Sequence, residues 1–121
     1  MQILGESELK KLIPIVLLSL ISNLAWGDYS VKGEGNYSCP EYASAKRSNT
    51  AKLYSSMSWV QGFITGMNYQ RSRDEGSDSF IAQDIPAASI ARWIENYCRE
   101  HPSDDVADAA EAFVEKNTTN D

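Results

Sequence analysis

The sequence predicts an all-α protein, a small three-to-four-helix bundle stapled by one disulfide and preceded by a cleaved signal peptide. Three observations carry that expectation. Apolar residues recur at helical spacing in three separate segments. Neither strand alternation nor a hairpin dipeptide stands out anywhere in the chain. Two cysteines, Cys39 and Cys98, both follow the apolar N-terminal run.

The first segment reads as a targeting element. Lys10 and Lys11 precede an apolar run, Leu12 to Leu24, which ends in the small-x-small pattern Ala25-Trp26-Gly27. The run is shorter than the roughly 20 residues a membrane-spanning helix needs, and the residues from Asp28 onward are polar. Residues 1–27 are therefore expected to be removed on export, leaving 28–121 as a single helical domain with an ordered core over about 38–115. Glu6, Glu8 and Pro14 depart from the usual signal pattern, and a retained N-terminal anchor is the alternative. The expected location is the periplasm or the exterior.

Loss of Glu6 and Glu8 together with Lys10 and Lys11 leaves the net charge at −6. That excess of acid argues against nucleic acid as a partner, because neutralising phosphates needs a basic surface. The charge is uneven: Lys46, Arg47, Lys52, Arg71 and Arg73 surround the first long helix, whereas Asp104, Asp105, Asp108, Glu111 and Glu115 lie near the end. Solvated helix faces account for this; opposite ends also allow self-association, including a homodimer.

From Asp28 to Ser38 the chain is glycine-rich and polar, a loose lead-in that Cys39 fixes. Cys39-Pro40-Glu41-Tyr42 starts a short turn or helical piece, and Ser48-Asn49-Thr50 offers N-caps for the next helix. The central helix spans Lys52 to Gln70, with Leu53, Met57, Val60, Ile64 and Met67 in one apolar stripe and Tyr54, Trp59 and Phe63 on a flank. Gly62 and Gly66 stand four apart, each costing roughly 1 kcal/mol of helix propensity against alanine. They imply either a close helix crossing or a groove that touches a ligand. The connection from Arg71 to Asp84 is charged and exposed, with Phe80 and Ile81 expected to tuck back onto the body. The next helix takes Asp84 as N-cap and Pro86 near its first position, and aligns Ile90, Ala91, Ile94, Tyr97 and Cys98, with Trp93 beside them, until His101 and Pro102 end it. Ser103 to Asp105 open a last helix with Val106, Ala109, Ala110, Phe113 and Val114 on its apolar side, and the tail is expected to fray from Asn117.

In an oxidising compartment the two cysteines form one disulfide. A catalytic thiol and a metal site are the competing readings. The first would have to use His101, the single histidine; the second would have two thiols and one imidazole where zinc wants four ligands. Adjacent carboxylates such as Asp104 and Asp105 at a helix start favour the helix dipole rather than acid-base chemistry, and no phosphate-cradling loop or triad is visible. The chain reads as a non-enzyme with no cofactor and no metal.

Ser38-Cys39-Pro40-Glu41-Tyr42, a central helix containing Trp59, Ile85-Pro86, and Trp93-Ile94-Glu95-Asn96-Tyr97-Cys98-Arg99-Glu100-His101-Pro102 resemble the HdeA/HdeB family of small periplasmic acid-stress chaperones. The resemblance implies an all-helical domain with one disulfide, Cys39 to Cys98, and no active site. It implies work by non-covalent apolar contact with client proteins. A second resemblance, through Trp59, Gly62 and Gly66, is to the immunity proteins that block type VI secretion amidases, and it implies instead an inhibitor of one secreted hydrolase. Leu53, Met57, Trp59, Gly62, Gly66, Met67 and Trp93 are the candidate protein-contact or close-packing residues; the first reading uses the apolar stripe Leu53, Met57, Val60, Ile64 and Met67, the second the connection Arg71 to Asp84 or the groove at Gly62 and Gly66.

Overall fold

The computed structural model describes residue 10, residues 29–76 and residues 78–118. The chain divides into a unit of Met1–Ser30 and a unit of Val31–Asp121, and every element below belongs to the second. The export segment expected over 1–27 lies, Lys10 apart, outside the described residues. A 3₁₀ turn, Gly33–Asn36, is followed by helices α1 (Cys39–Ser48), α2 (Thr50–Glu75), α3 (Ala87–Glu100) and α4 (Val106–Thr118). Among the described residues there is no strand, only an isolated antiparallel bridge between Ser38 and Asp105. The expected all-α bundle with one disulfide is the architecture observed.

Helix α1 is longer than a turn because both of its ends are closed. Ser38 Oγ accepts from Glu41 N–H at 3.2 Å, Pro40 occupies the first turn, and Lys46 and Arg47 face the negative end of the helix dipole. Asn49 then ends α1 and caps α2 with one residue, its backbone N–H donating to Ala45 O and its side chain accepting from Lys52 N–H at 3.1 Å. Helix α2 continues past Gln70 to Glu75, supported by an Arg71–Glu75 pair one turn apart, and stops at Gly76 in the left-handed conformation.

Helix α3 begins differently from the expectation. Asp84 does not cap it; Pro86 does, at φ −62°, and its carbonyl accepts from Ser89 and Ile90 N–H. A proline whose missing donor costs nothing is sufficient there. At the other end His101 caps α3, its ring stacked on Tyr97 at 4.1 Å. Helix α4 starts on a reciprocal box in which Asp105 Oδ1 accepts from Asp108 N–H and Asp108 Oδ2 accepts from Asp105 N–H. It runs to Thr118 rather than fraying at Asn117, since both side chains donate back to carbonyls of the preceding turn.

The core gathers Tyr42 of α1, Met57, Val60 and Ile64 of α2, Ile90 and Ile94 of α3, and Val106, Phe113 and Val114 of α4. Ala109 and Ala110 are fully buried, small enough to let α4 approach its neighbours closely. Cys39 and Cys98 join the start of α1 to the end of α3, with Cα atoms 4.8 Å apart and a sequence separation of 59. Next to this link Cys39 N–H donates to Asp104 O and Val106 N–H to Tyr37 O, each at 2.9 Å. The beginnings of α1 and α4 and the end of α3 thus meet at one covalently fixed corner.

Candidate functional site

The sequence singled out a stripe, two tryptophans and two glycines, and the structure separates them. Met57, Val60 and Ile64 are buried beneath the other helices, and Leu53 and Met67 pack against the same core while remaining partly accessible at the two ends of the stripe. Ser56, also on this face, satisfies its hydroxyl by donating to Lys52 O at 2.9 Å. The inner face of α2 is therefore a continuous apolar surface that is closed in this state.

Trp59 and Phe63 stack beside that surface with centroids 5.6 Å apart. The indole Nε1 donates to Lys32 O at 2.6 Å, and Gly33 and Gly35 of the 3₁₀ turn pack on the ring. The lead-in expected to be loose is consequently part of the body. Tyr54 does not share this flank. It lies across the helix from Trp59 and is 69% exposed. Trp93 meets Phe113 edge-on at 5.4 Å and stacks on Tyr97 at 5.6 Å, closing the seam between α3 and α4.

Gly62 and Gly66 overturn the expectation of a tight crossing. Both are exposed, and nothing lies within 4 Å of a Cβ built at either position. At about 100° per residue they fall opposite the Val60–Ile64 stripe, so their four-residue spacing groups them on the outer side of α2. No helix of the described unit packs there.

The connection to α3 also divides. Ile81 is buried and held by Asn68, whose Oδ1 accepts from Ile81 N–H at 2.7 Å while its Nδ2 donates to Ile81 O at 3.2 Å. Phe80, expected to tuck in with it, is instead 45% exposed. It borders a surface groove of about 330 Å³ that Gln61, Thr65, Asn68, Gln83 and Ile85 help to line. A two-point amide clamp on one residue presents its neighbour outward.

Electrostatics distinguish two regions. Lys46 of α1 hydrogen-bonds to Glu95 of α3, and this contact holds the Glu95 carboxyl below the usual range, with Arg99 adding at 3.4 Å and partial burial opposing. On the α4 side, Asp105 and Glu111 are pushed up by burial, and for Glu111 the charges of Glu115 and Asp108 add to it. Tyr97 donates to Asp104 Oδ2 at 2.6 Å; burial and that bond raise its phenol. Tyr42 is raised to about 12, by burial first and then by the charge of Glu95. Among the described residues no group of three or more His, Cys, Asp or Glu could hold a metal ion, and no helix is long and apolar enough to cross a membrane.

The sequence reading missed the Trp59–Gly35 contact, the Asn68 clamp and the Lys46–Glu95 bridge. Each joins segments far apart in sequence, which no local pattern reports. Only the closely spaced pair Gly33 and Gly35, which leaves room for a large ring, hints at the first.

No protein-family model matches the chain, and no curated protein or solved structure is significantly similar to it. The fold and the site define a class: a small all-α domain closed around the apolar face of a long helix, with α1 and α3 stapled by one disulfide.

Proposed function

We propose that the chain is a small exported protein-binding domain of the HdeA/HdeB type, which opens in acid and holds unfolding clients by apolar contact along α2. One observation carries this reading. The disulfide joins α1 to α3 and leaves α2, which lies between them in the sequence, without a cross-link of its own, held by packing and by hydrogen bonds such as those of Trp59 and Asn68. Opening can therefore uncover Leu53, Met57, Val60, Ile64 and Met67 while the remainder stays tethered. The methionines in that surface adapt to many partners.

Acid supplies the drive. At neutral pH the exported chain carries a net charge of −6, and protonating the 15 carboxylates that remain after loss of Glu6 and Glu8 leaves it strongly positive, so that self-repulsion favours opening. The Lys46–Glu95 contact is lost in the same range, because a carboxyl with a lowered pKa contributes stability that disappears as pH falls through that value. Asp105 and Glu111, both raised, act in the opposite sense and resist opening. The test is aggregation of an acid-sensitive client at about pH 2 to 3 with the oxidised protein present. Suppression of light scattering, accompanied by binding of an apolar dye, is expected; a protein that stays closed while the client precipitates contradicts the reading.

The exposure of Phe80 on a clamped connection favours a second reading, an inhibitor that docks one secreted hydrolase through a preformed protrusion. It requires a tight complex with a single partner at neutral pH. Replacing residues 78–84 with a glycine linker would abolish that complex and leave acid-dependent client binding intact.

A further inference from the structure

One region of the surface runs against the charge of the molecule. Lys46 and Arg47 in the last turn of α1 face Glu95 and Arg99 of α3 across a concavity of about 420 Å³ floored by Ala43. A second concavity, of about 230 Å³, shares the Lys46–Glu95 bridge as its wall; Tyr42, Leu53, Ala88 and Ala91 line it, and Arg92 stands at its edge. Glu95 is thus the one carboxylate among four cations in the lining of the two hollows. Two of those cations, Lys46 and Arg99, are engaged by it. Arg47 and Arg92 are exposed and form no ion pair among the described residues.

From this arrangement we infer that the α1–α3 face is a docking surface, at neutral pH and in the closed state, for an acidic polypeptide segment of a partner protein that carries an apolar anchor residue. The charge of the site selects carboxylates, for which the forked guanidinium groups of Arg47 and Arg92, the two without an ion pair, are the natural partners. The neighbouring hollow, half apolar and reaching the partly accessible Leu53, supplies what an inorganic anion cannot use: room for an aliphatic side chain beside the charged contact. A peptide with acidic and leucine residues on one helical face satisfies both hollows at once. The overall charge of −6 disfavours such a segment on the acidic remainder of the surface, so the patch also orients its approach. This surface lies outside the closed stripe of α2 and does not depend on acid opening.

The experiment uses the full oxidised protein at neutral pH and a fluorescent synthetic peptide with glutamate and leucine at helical spacing, read by anisotropy. Three companion peptides carry lysine for glutamate, serine for leucine, or both changes. Binding of the glutamate–leucine peptide at least about tenfold tighter than any companion is expected, weakening steeply with salt. Arg47→Ala combined with Arg92→Ala should lose about tenfold or more, with unchanged far-ultraviolet dichroism, whereas Arg73→Ala on α2 should bind as the parent does. Equal binding of the four peptides, an unaffected double variant, full competition by inorganic phosphate or anionic lipid vesicles, or displacement of the peptide by self-association of the protein would each overturn the inference.

Discussion

Gly35 lies so close to the indole of Trp59 that a Cβ at position 35 would come within 2.6 Å of Trp59 Cε2. The contact, with the Nε1 bond to Lys32 O, closes the N-terminal edge of the bundle over α2. Gly35→Ala must displace either the ring or the 3₁₀ turn. Overpacking of this kind costs about 1 to 3 kcal/mol. Urea unfolding should show that loss, with a changed near-ultraviolet spectrum of Trp59; an unchanged midpoint would mean that the turn moves freely.

Asn68 offers a second check on how the connection is held. Asn68→Ala removes both bonds to Ile81 and leaves a buried backbone pair without partners, at a cost of about 1 to 3 kcal/mol. Local opening should exceed global loss. Proteolysis within residues 78–84 is expected to accelerate more than the unfolding midpoint falls, and an equal change in both would place the clamp in the global core instead.

The disulfide closes a loop between cysteines separated by 59 positions in the sequence. On chain-entropy grounds its removal costs about 4 kcal/mol, a large part of the stability of a domain this small. Cys98→Ser, or thorough reduction, should shift the urea midpoint by that amount, and in acid it should convert a tethered open state into a fully expanded chain measurable by scattering.

Two carboxylates should respond to pH with opposite signs. Glu95 has a lowered pKa in the folded protein, so its contribution is present above the ordinary carboxylate value and lost as pH falls through the folded one. Glu95→Gln should be less stable than the parent at neutral pH by about 0.5 kcal/mol, as for a partly exposed pair, and equal to it in strong acid. Glu111 has a raised pKa, so the fold disfavours its ionised form. Glu111→Gln should be more stable than the parent at neutral pH, with the advantage gone once both states are protonated. Urea titrations across pH check both; matching signs would contradict the electrostatic account.

Tyr42 gives the alkaline counterpart. Its folded pKa, raised to about 12 chiefly by burial, means that stability present below pH about 10 is lost as pH rises toward 12. Tyrosinate absorbance and helix loss should share one transition in the parent, and that coupling should weaken in Tyr42→Phe, the remainder belonging to Tyr97, whose phenol is also raised.

Much of this fold is legible in the sequence where the information is local. The stripe Met57, Val60 and Ile64, the α3 series Ile90, Ile94 and Cys98, and the α4 series around Phe113 are each buried as their spacing requires. Gly62 and Gly66 were misread although their angle was available: at about 100° per residue they project away from the stripe, and a four-residue interval says only that two residues share a face. Phe80 and Ile81 illustrate a different limit. Composition marks both as apolar, but which one turns inward depends on Asn68, on helix α2. The charged face of α1 and α3 was invisible for the same reason, since Lys46 and Glu95 meet only when the bundle closes.

The central claim is that the inner face of α2 becomes a binding surface in acid while the disulfide stays intact. Its most direct test is a photoreactive side chain installed at Met57, which is 7% exposed in the closed protein, with illumination in the presence of an acid-sensitive client. Covalent adducts with the client at about pH 2 to 3, and none at neutral pH, are predicted. Adducts at neither pH, or in equal yield at both, would contradict it.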